Sequence, residues 1–299
     1  MKLGFIGLGK MGKNMALNMA KKNHGEVIVY DICDSVYHEF TEIGAETAND
    51  IKQIAESDII FLSLPNTEIV KGTLIGANGL INYLSSNKIV VDLSTISYNA
   101  TIELHDILLD KNIRFLDAPV SGMEARAKEG TLSVMCGGEP ETFEYVKPYF
   151  EMIGNNILYM GAPGSGQLTK LINQLLFDIN AAALAEILPM AVKLGLDPDK
   201  IGSIVNSGTG RSYASEFFIP RILKGIFSEG YQMKNAYKDL ISAAELSAQS
   251  SIPLPVLHAA TSTYQMALLE GLGNEDKGAM IKVYEKFLDV SFRSIKLNK

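Results

Sequence analysis

Lys170, Asn173 and Gln174 stand at i, i+3 and i+4, which places an ammonium and two amides on one face of a helix. Lys170 falls near the start of a long helical stretch, where the helix dipole favours carboxylates over amines. Partial burial and that positive helix end would both lower its pKa toward a range useful for proton transfer. Upstream, Asp117-Ala118-Pro119-Val120-Ser121-Gly122 follows an apolar run. There the Ser121 hydroxyl and the backbone N–H groups around Gly122, left open by small side chains, can cradle a carboxylate. The same residues read equally as a β-turn. Arg211, in the polar loop Ser207–Tyr213, carries the planar fork that pairs with a second carboxylate, or it is a solvated loop arginine.

A second group of residues points to a nucleotide. Gly7-Leu8-Gly9-Lys10-Met11-Gly12 is a G-x-G-x-x-G that follows a short apolar run and opens a helical stretch. The first glycine allows the tight turn and the second lets a pyrophosphate approach the backbone. The third lets helix and strand pack closely, with the helix N-terminus attracting the phosphate charge. Asp31 ends the next apolar run, 19 residues beyond Gly12, where its carboxylate can accept from a ribose 2′-hydroxyl. It would repel a 2′-phosphate, and no Arg or Lys occurs in Ile32-Cys33-Asp34, so NAD is expected rather than NADP. Leu64-Pro65-Asn66 and Ser94-Thr95 end two further runs and are expected to face the same cofactor.

The elements that must position these residues are legible in outline. Lys2–Ile6, Glu26–Tyr30, Ile59–Leu64, Ile89–Leu93, Ile113–Leu116, Leu132–Cys136 and Ile157–Tyr159 are short, apolar and often β-branched. Helical spacing separates the earlier ones, as in Met11–Lys21 and Ser35–Ile43, so a parallel sheet covered on both faces is expected. The Gly161–Gly166 cluster reads as a boundary turn, with helical periodicity throughout the rest of the chain. The fold class is therefore α/β, a doubly wound sheet followed by an all-α half that begins in one long helix. Domains are expected at 1–163 (nucleotide-binding) and 164–299 (all-α). The joining helix, about 28 residues long, should be kinked or shortened at Pro189. Breaks are expected near Gly195–Pro198, Ser207–Gly210 and Ile252–Pro255. The charges from Lys282 to Lys299 read as solvated helix faces.

Composition excludes several classes. The 299 residues are 47% hydrophobic and 20% charged, the balance of a globular chain with sizeable cores. A net charge of −7 argues against a nucleic-acid partner, which needs concentrated Lys and Arg. Two cysteines, Cys33 and Cys136, form no redox motif, and four histidines without ligand spacing give no metal site. The N-terminus lacks a signal-peptide pattern, and Ala181–Leu196, carrying Glu186, Pro189 and Lys193, is too short and interrupted to span a bilayer. A cytoplasmic location without a membrane partner is expected.

Taken in order, Gly4–Gly12, Asp117–Gly122, Gly164–Gln174 and Lys238-Asp239-Leu240 resemble the β-hydroxyacid dehydrogenase family across essentially the whole chain. The family includes 3-hydroxyisobutyrate dehydrogenase, tartronate semialdehyde reductase and succinic semialdehyde reductases. The resemblance implies a Rossmann-type domain joined by a long helix to a C-terminal all-α domain, a homodimer or homotetramer, and roles for matching positions. Lys170 matches the lysine that relays the proton of the substrate oxygen; Ser121 and Gly122 match the carboxylate loop. Thr95 matches a threonine near substrate and nicotinamide, Lys238 a cofactor-contacting lysine and Asp239 its neighbour in the site. Two positions depart from the family pattern. Met123 replaces the second of two glycines after the serine, and Gln174 replaces an asparagine four residues past the lysine. The stretch Gly210–Ala214 resembles members acting on dicarboxylic substrates, especially 2-(hydroxymethyl)glutarate dehydrogenase.

These residues imply an NAD-dependent oxidoreductase that interconverts a small 3-hydroxy acid and its semialdehyde, with lysine as general acid/base. Other readings are a dicarboxylic semialdehyde reductase using NADP and a catalytically silent NAD-binding oligomeric scaffold. A 6-phosphogluconate dehydrogenase would resemble a longer chain with a histidine where Ile172 stands, and imine reductases usually replace the lysine.

Overall fold

All seven of the apolar runs form strands, and two more strands of two residues each join them. In chain order these are β1 (Leu3–Ile6), β2 (Val27–Tyr30), β3 (Glu46–Thr47), β4 (Ile59–Leu62) and β5 (Ile89–Asp92), then β6 (Arg114–Asp117), β7 (Val120–Ser121), β8 (Leu132–Gly137) and β9 (Gly154–Gly161). The computed structural model describes residues 1–295. The chain packs as two compact units divided between Lys170 and Leu171.

In the first unit the sheet order is β3-β2-β1-β4-β5-β6-β8-β7, with β9 beside β8. From β3 to β6 every pairing is parallel. Order reverses between β1 and β4, the topological switch point at which such sheets bind ligands. Alternate residues serve opposite faces. Phe5, Val29, Phe61, Val91 and Leu116 join one buried cluster. Ile6, Ile28, Ile60, Leu62, Val90 and Phe115 join the other. Each such side chain contributes roughly 1.5–3 kcal/mol when fully buried, so strands apolar on both sides are what a sheet with two covered faces requires.

The parallel arrangement gives way at the sheet's far edge. β8 runs antiparallel to β6 and β7, while β9 is parallel to β8. Apolar periodicity reports burial and says nothing about strand direction, and antiparallel edges are common on otherwise parallel sheets.

The second unit is helical. Pro198–Ser207, Tyr213–Leu223, Met233–Ser250, Pro255–Leu269 and Ile281–Leu288 surround a core that includes Phe218, Leu240, Tyr264 and Met280. The breaks fall where the Gly and Pro clusters place them. Pro198 and Pro255 each stand at a first helical position, where the missing N–H costs nothing.

The joining helix runs from Ser165 to Lys193, 29 residues. It is not shortened at Pro189. The lost hydrogen bond is local, and Ala185 and Leu188 just before it are buried in the core. Its full length and apolarity would suffice to cross a membrane by composition alone, because it begins well before Ala181. Ala181, Ala182, Ala185 and Leu188 instead help to form the second unit's core.

The reading of the C-terminal charges as solvated is corrected at Glu285. It is buried and accepts from the Phe292 N–H at 2.7 Å and from Arg293 Nη1 at 2.7 Å. Lys296 and Lys299, part of the same reading, lie outside the described residues.

Candidate functional site

The parallel register lines up one row of strand ends: Tyr30, Ile6, Leu62, Asp92 and Asp117 are successive partners across β2, β1, β4, β5 and β6. Gly7, Asp31, Leu64, Pro65 and Thr95 lie one to three residues beyond that row, so the sheet brings them to one edge.

The three glycines of the first turn differ in what surrounds them. Gly7 has φ +97°, and a Cβ there would lie 2.3 Å from the Ser63 carbonyl oxygen. A Cβ on Gly12 would lie 1.9 Å from the Gly7 carbonyl oxygen, so helix and turn touch backbone to backbone. Gly9 is exposed, with nothing within 4 Å of its Cβ position. Two glycines are thus demanded by packing, and the third leaves open space over the turn. That is the arrangement a pyrophosphate needs.

Asp31 is tied to this turn. Its Oδ2 accepts from the Leu8 N–H at 2.5 Å and its Oδ1 from the Cys33 N–H at 2.9 Å. Both oxygens keep lone pairs for a ribose diol. Lys10 is exposed and Met11 half-buried, flanking the open space over Gly9.

A hydrogen-bonded frame joins the next strand ends. Leu64 N–H donates to Ser94 Oγ at 2.8 Å, and Ser94 N–H donates to Asp92 Oδ1 at 2.9 Å. Thr95 is exposed between buried Ser94 and Ile96. Asp117 accepts from the Gly164 N–H on Oδ1 and from the Gln167 N–H on Oδ2, each at 2.8 Å. The carboxylate therefore satisfies donors at the start of the Ser165–Lys193 helix that have no partner within it.

Burial pushes the Asp92 carboxyl up to about 7, and the Asp117 charge adds to the rise, against the Ser94 hydroxyl and N–H. Burial likewise pushes Asp117 up to about 6, opposed by the N–H groups of Gln167, Gly164 and Gly166.

Lys170 is 9% exposed and lies in the second turn of its helix, a turn later than the sequence placed it. The dipole acts mainly over the first turn, and here Asp117 sits at that positive end. The electrostatic misplacement expected from sequence is therefore smaller. Ser121 and Gly122 are half-buried; Gly122 has φ +144°, and a Cβ on it would crowd Arg126 at 2.9 Å. Met123, exposed, has φ +62°, a region that costs a non-glycine residue about 1–2 kcal/mol. Residues 122 and 123 thus both take positive φ, which favours glycine at each, with a methionine at the second.

The remaining candidates belong to the second unit. Asn173 is exposed and Gln174 half-buried, with Asn173 Nδ2 3.5 Å from Gln174 Oε1. Arg211 is exposed and pairs with Glu216 at 2.6 Å. Lys238 is exposed and Asp239 half-buried on the Met233–Ser250 helix. No group of His, Cys, Asp and Glu among the described residues could hold a metal ion.

Sequence reasoning missed Asp92 and Gln167 in the first unit and the buried pair Asp178–Lys277 in the second. An aspartate ending the apolar run Ile89-Val90-Val91 was a signal for the first. Nothing in the sequence pairs residues 178 and 277.

Comparison with known proteins agrees with this geometry. Residues 2–161 match the NAD binding domain of 6-phosphogluconate dehydrogenase. Residues 164–284 match a family described as NAD-binding of NADP-dependent 3-hydroxyisobutyrate dehydrogenase. The 2-(hydroxymethyl)glutarate dehydrogenase of Eubacterium barkeri is 38% identical over 97% of both chains. The 2-hydroxy-3-oxopropionate reductase of Escherichia coli (strain K12) is 36% identical over 95% of this chain and 97% of its own. A 3-hydroxyisobutyrate dehydrogenase of Mycobacterium tuberculosis, solved with L-serine, superposes with a TM-score of 0.84 at 26% identity, covering 94% of this chain and 98% of that one. With a dinucleotide turn at the switch point and relatives matched along nearly its whole length, the chain belongs to the β-hydroxyacid dehydrogenase family of NAD(P)-dependent oxidoreductases.

Proposed function

We propose that this protein interconverts a small 3-hydroxy acid and its semialdehyde with NAD, and that Lys170 carries the proton. The observation that carries this reading is the single row of strand ends, which gathers the glycine turn, Asp31 and Thr95 at one edge of the sheet. Lys170 belongs to the same unit, a turn beyond a helix start held by Asp117. The nicotinamide, when bound, accepts or supplies the hydride. The residues around it bind, orient and move a proton. Gly7–Gly12 receive the pyrophosphate, with Leu64 and Pro65 beside them, and Ser121 with Gly122 holds the substrate carboxylate. The Lys170 amine takes the hydroxyl proton in oxidation, and the ammonium returns it to the aldehyde oxygen in reduction. Asn173 and Gln174 extend the polar face of that helix.

NAD rather than NADP is supported by the Asp31 carboxylate fixed by two N–H groups, with acidic Asp34 close in sequence and no cation nearby in it. Asp31→Ser should raise the Kd for NADH and narrow its advantage over NADPH. A dicarboxylic substrate is supported by the 38% identity to 2-(hydroxymethyl)glutarate dehydrogenase, with Arg211 as reader of the second carboxylate. Arg211→Ala should then erase any preference for dicarboxylic over monocarboxylic semialdehydes. We also propose a cytoplasmic homodimer or homotetramer. The exposed apolar series Ile172, Leu176, Ile187 and Met190 along one helix, with exposed Leu194 just past its end, supports self-association.

The test is a screen of mono- and dicarboxylic hydroxy acids and semialdehydes, in both directions, with NAD and NADP. Turnover of a 3-hydroxy acid with NAD preferred is the expected result. Tight NADH binding with no turnover of any substrate would point to a silent scaffold and overturn the reading.

A further inference from the structure

Gln167 is 2% exposed and spans the residue between two backbone groups. Its Nε2 donates to the Ser94 carbonyl at 2.7 Å, and its Oε1 accepts from the Ile96 N–H at 3.2 Å. These partners fix the amide's orientation, because only one way round donates to a carbonyl and accepts from an N–H. The residue enclosed by the two bonds is Thr95, which is exposed while Ser94 and Ile96 are buried. Gln167's own N–H is held by Asp117, and Lys170 follows three residues later, one turn along the same helix. Ser94 is in turn fixed by Asp92 through its N–H and by the Leu64 N–H through its hydroxyl.

We propose that Gln167 is a positioning residue that sets the Thr95 hydroxyl and the Lys170 amine in register with each other. One side chain grips the backbone on both sides of Thr95 from the helix turn that precedes Lys170. A movement of the helix start is therefore transmitted to the strand end, and the reverse. The inference rests on the reading of Lys170 as the proton carrier. Misplacement of about 1 Å can cost roughly 100-fold in rate without touching the chemistry itself.

Gln167→Met keeps the length and loses both bonds. It should lower kcat roughly 10–100-fold, with the Kd for NADH nearly unchanged. Gln167→Glu supplies a second arm. Ionised, it cannot donate to the Ser94 carbonyl; protonated, it restores both bonds. In aldehyde reduction its kcat relative to wild type should therefore recover as pH falls, a recovery that Gln167→Met lacks. The double variant with Thr95→Ala should lose less than the product of the two single losses, because the effect passes through Thr95. Wild-type kcat in Gln167→Met, or losses that multiply in the double variant, would overturn the proposal. If Gln167→Met fails to fold, the pH series of Gln167→Glu decides, and a flat ratio to wild type counts against it. Lys170→Ala is measured alongside. Retained turnover there defeats the Lys170 reading, whereas a dead Lys170→Ala with an unaffected Gln167→Met defeats only this one.

Discussion

The two units bury charge in opposite ways. In the first, Asp92 and Asp117 lie under the site edge, held by backbone N–H groups and, at Asp92, by the Ser94 hydroxyl as well, with, among the described residues, no lysine or arginine bonded to them. In the second, Asp178 and Lys277 are wholly buried against each other, with the Lys277 ammonium 3.9 Å from the centre of the Phe177 ring. Burial pulls the Lys277 pKa down and Asp178 holds it up. An ion pair of this kind fixes side chains in a core. A carboxylate held by N–H groups fixes backbone instead, here a helix start and a strand end. The first arrangement places a site and leaves its acids able to titrate; the second holds a core together.

Breaking the ion pair on one side should be the largest effect on stability. Lys277→Met leaves a buried carboxylate without its cation and should cost about 3–5 kcal/mol, read from denaturant unfolding. Adding Asp178→Leu should recover most of that loss. If the double variant is as unstable as the single, the pair is not the unit we take it to be.

Removing one acceptor in the first unit should cost less. Asp117→Asn can accept only one of the two N–H bonds now shared between its oxygens. A loss of about 1–3 kcal/mol is expected, together with reduced kcat. Unchanged kcat would separate the helix anchor from the chemistry.

The two systems should also differ with pH. Asp92 and Asp117 titrate near 7 and 6 when folded, above the ordinary carboxyl value of 3.8, so the native state holds the extra protons. Their contribution is complete below pH 3.8 and is lost as pH rises through 6 to 7. Asp92→Asn should flatten that part of the profile of unfolding free energy against pH. A slope identical to wild type would show that Asp92 does not set it.

The smallest effect concerns the loop at the site edge. Met123→Gly relieves the left-handed backbone but loosens the unfolded chain, for a net gain of about 1 kcal/mol. A fall in thermal midpoint would show that the methionine side chain makes a compensating contact.

Much of the first unit was legible because its signals are local. Gly7–Gly12 announces its own turn, and the apolar strands announce their burial. The direction of β8 was not legible, since periodicity is blind to it. β3 and β7 are two residues long and carry no period. Asp92 and Gln167 matter through partners brought close only by the sheet and the helix start. Asp178 and Lys277 are 99 residues apart, and neither residue type predicts burial alone. Lys170 was found by type and spacing, while its helical turn was misjudged because the helix begins at Ser165.

The most direct test of the central claim is Lys170→Ala, with kcat measured in both directions and NADH binding measured separately. We expect kcat to fall by about 10²–10⁴-fold, the usual share of a general acid/base, while the Kd for NADH stays within roughly a factor of two. Turnover close to wild type, with NADH still bound, would contradict it.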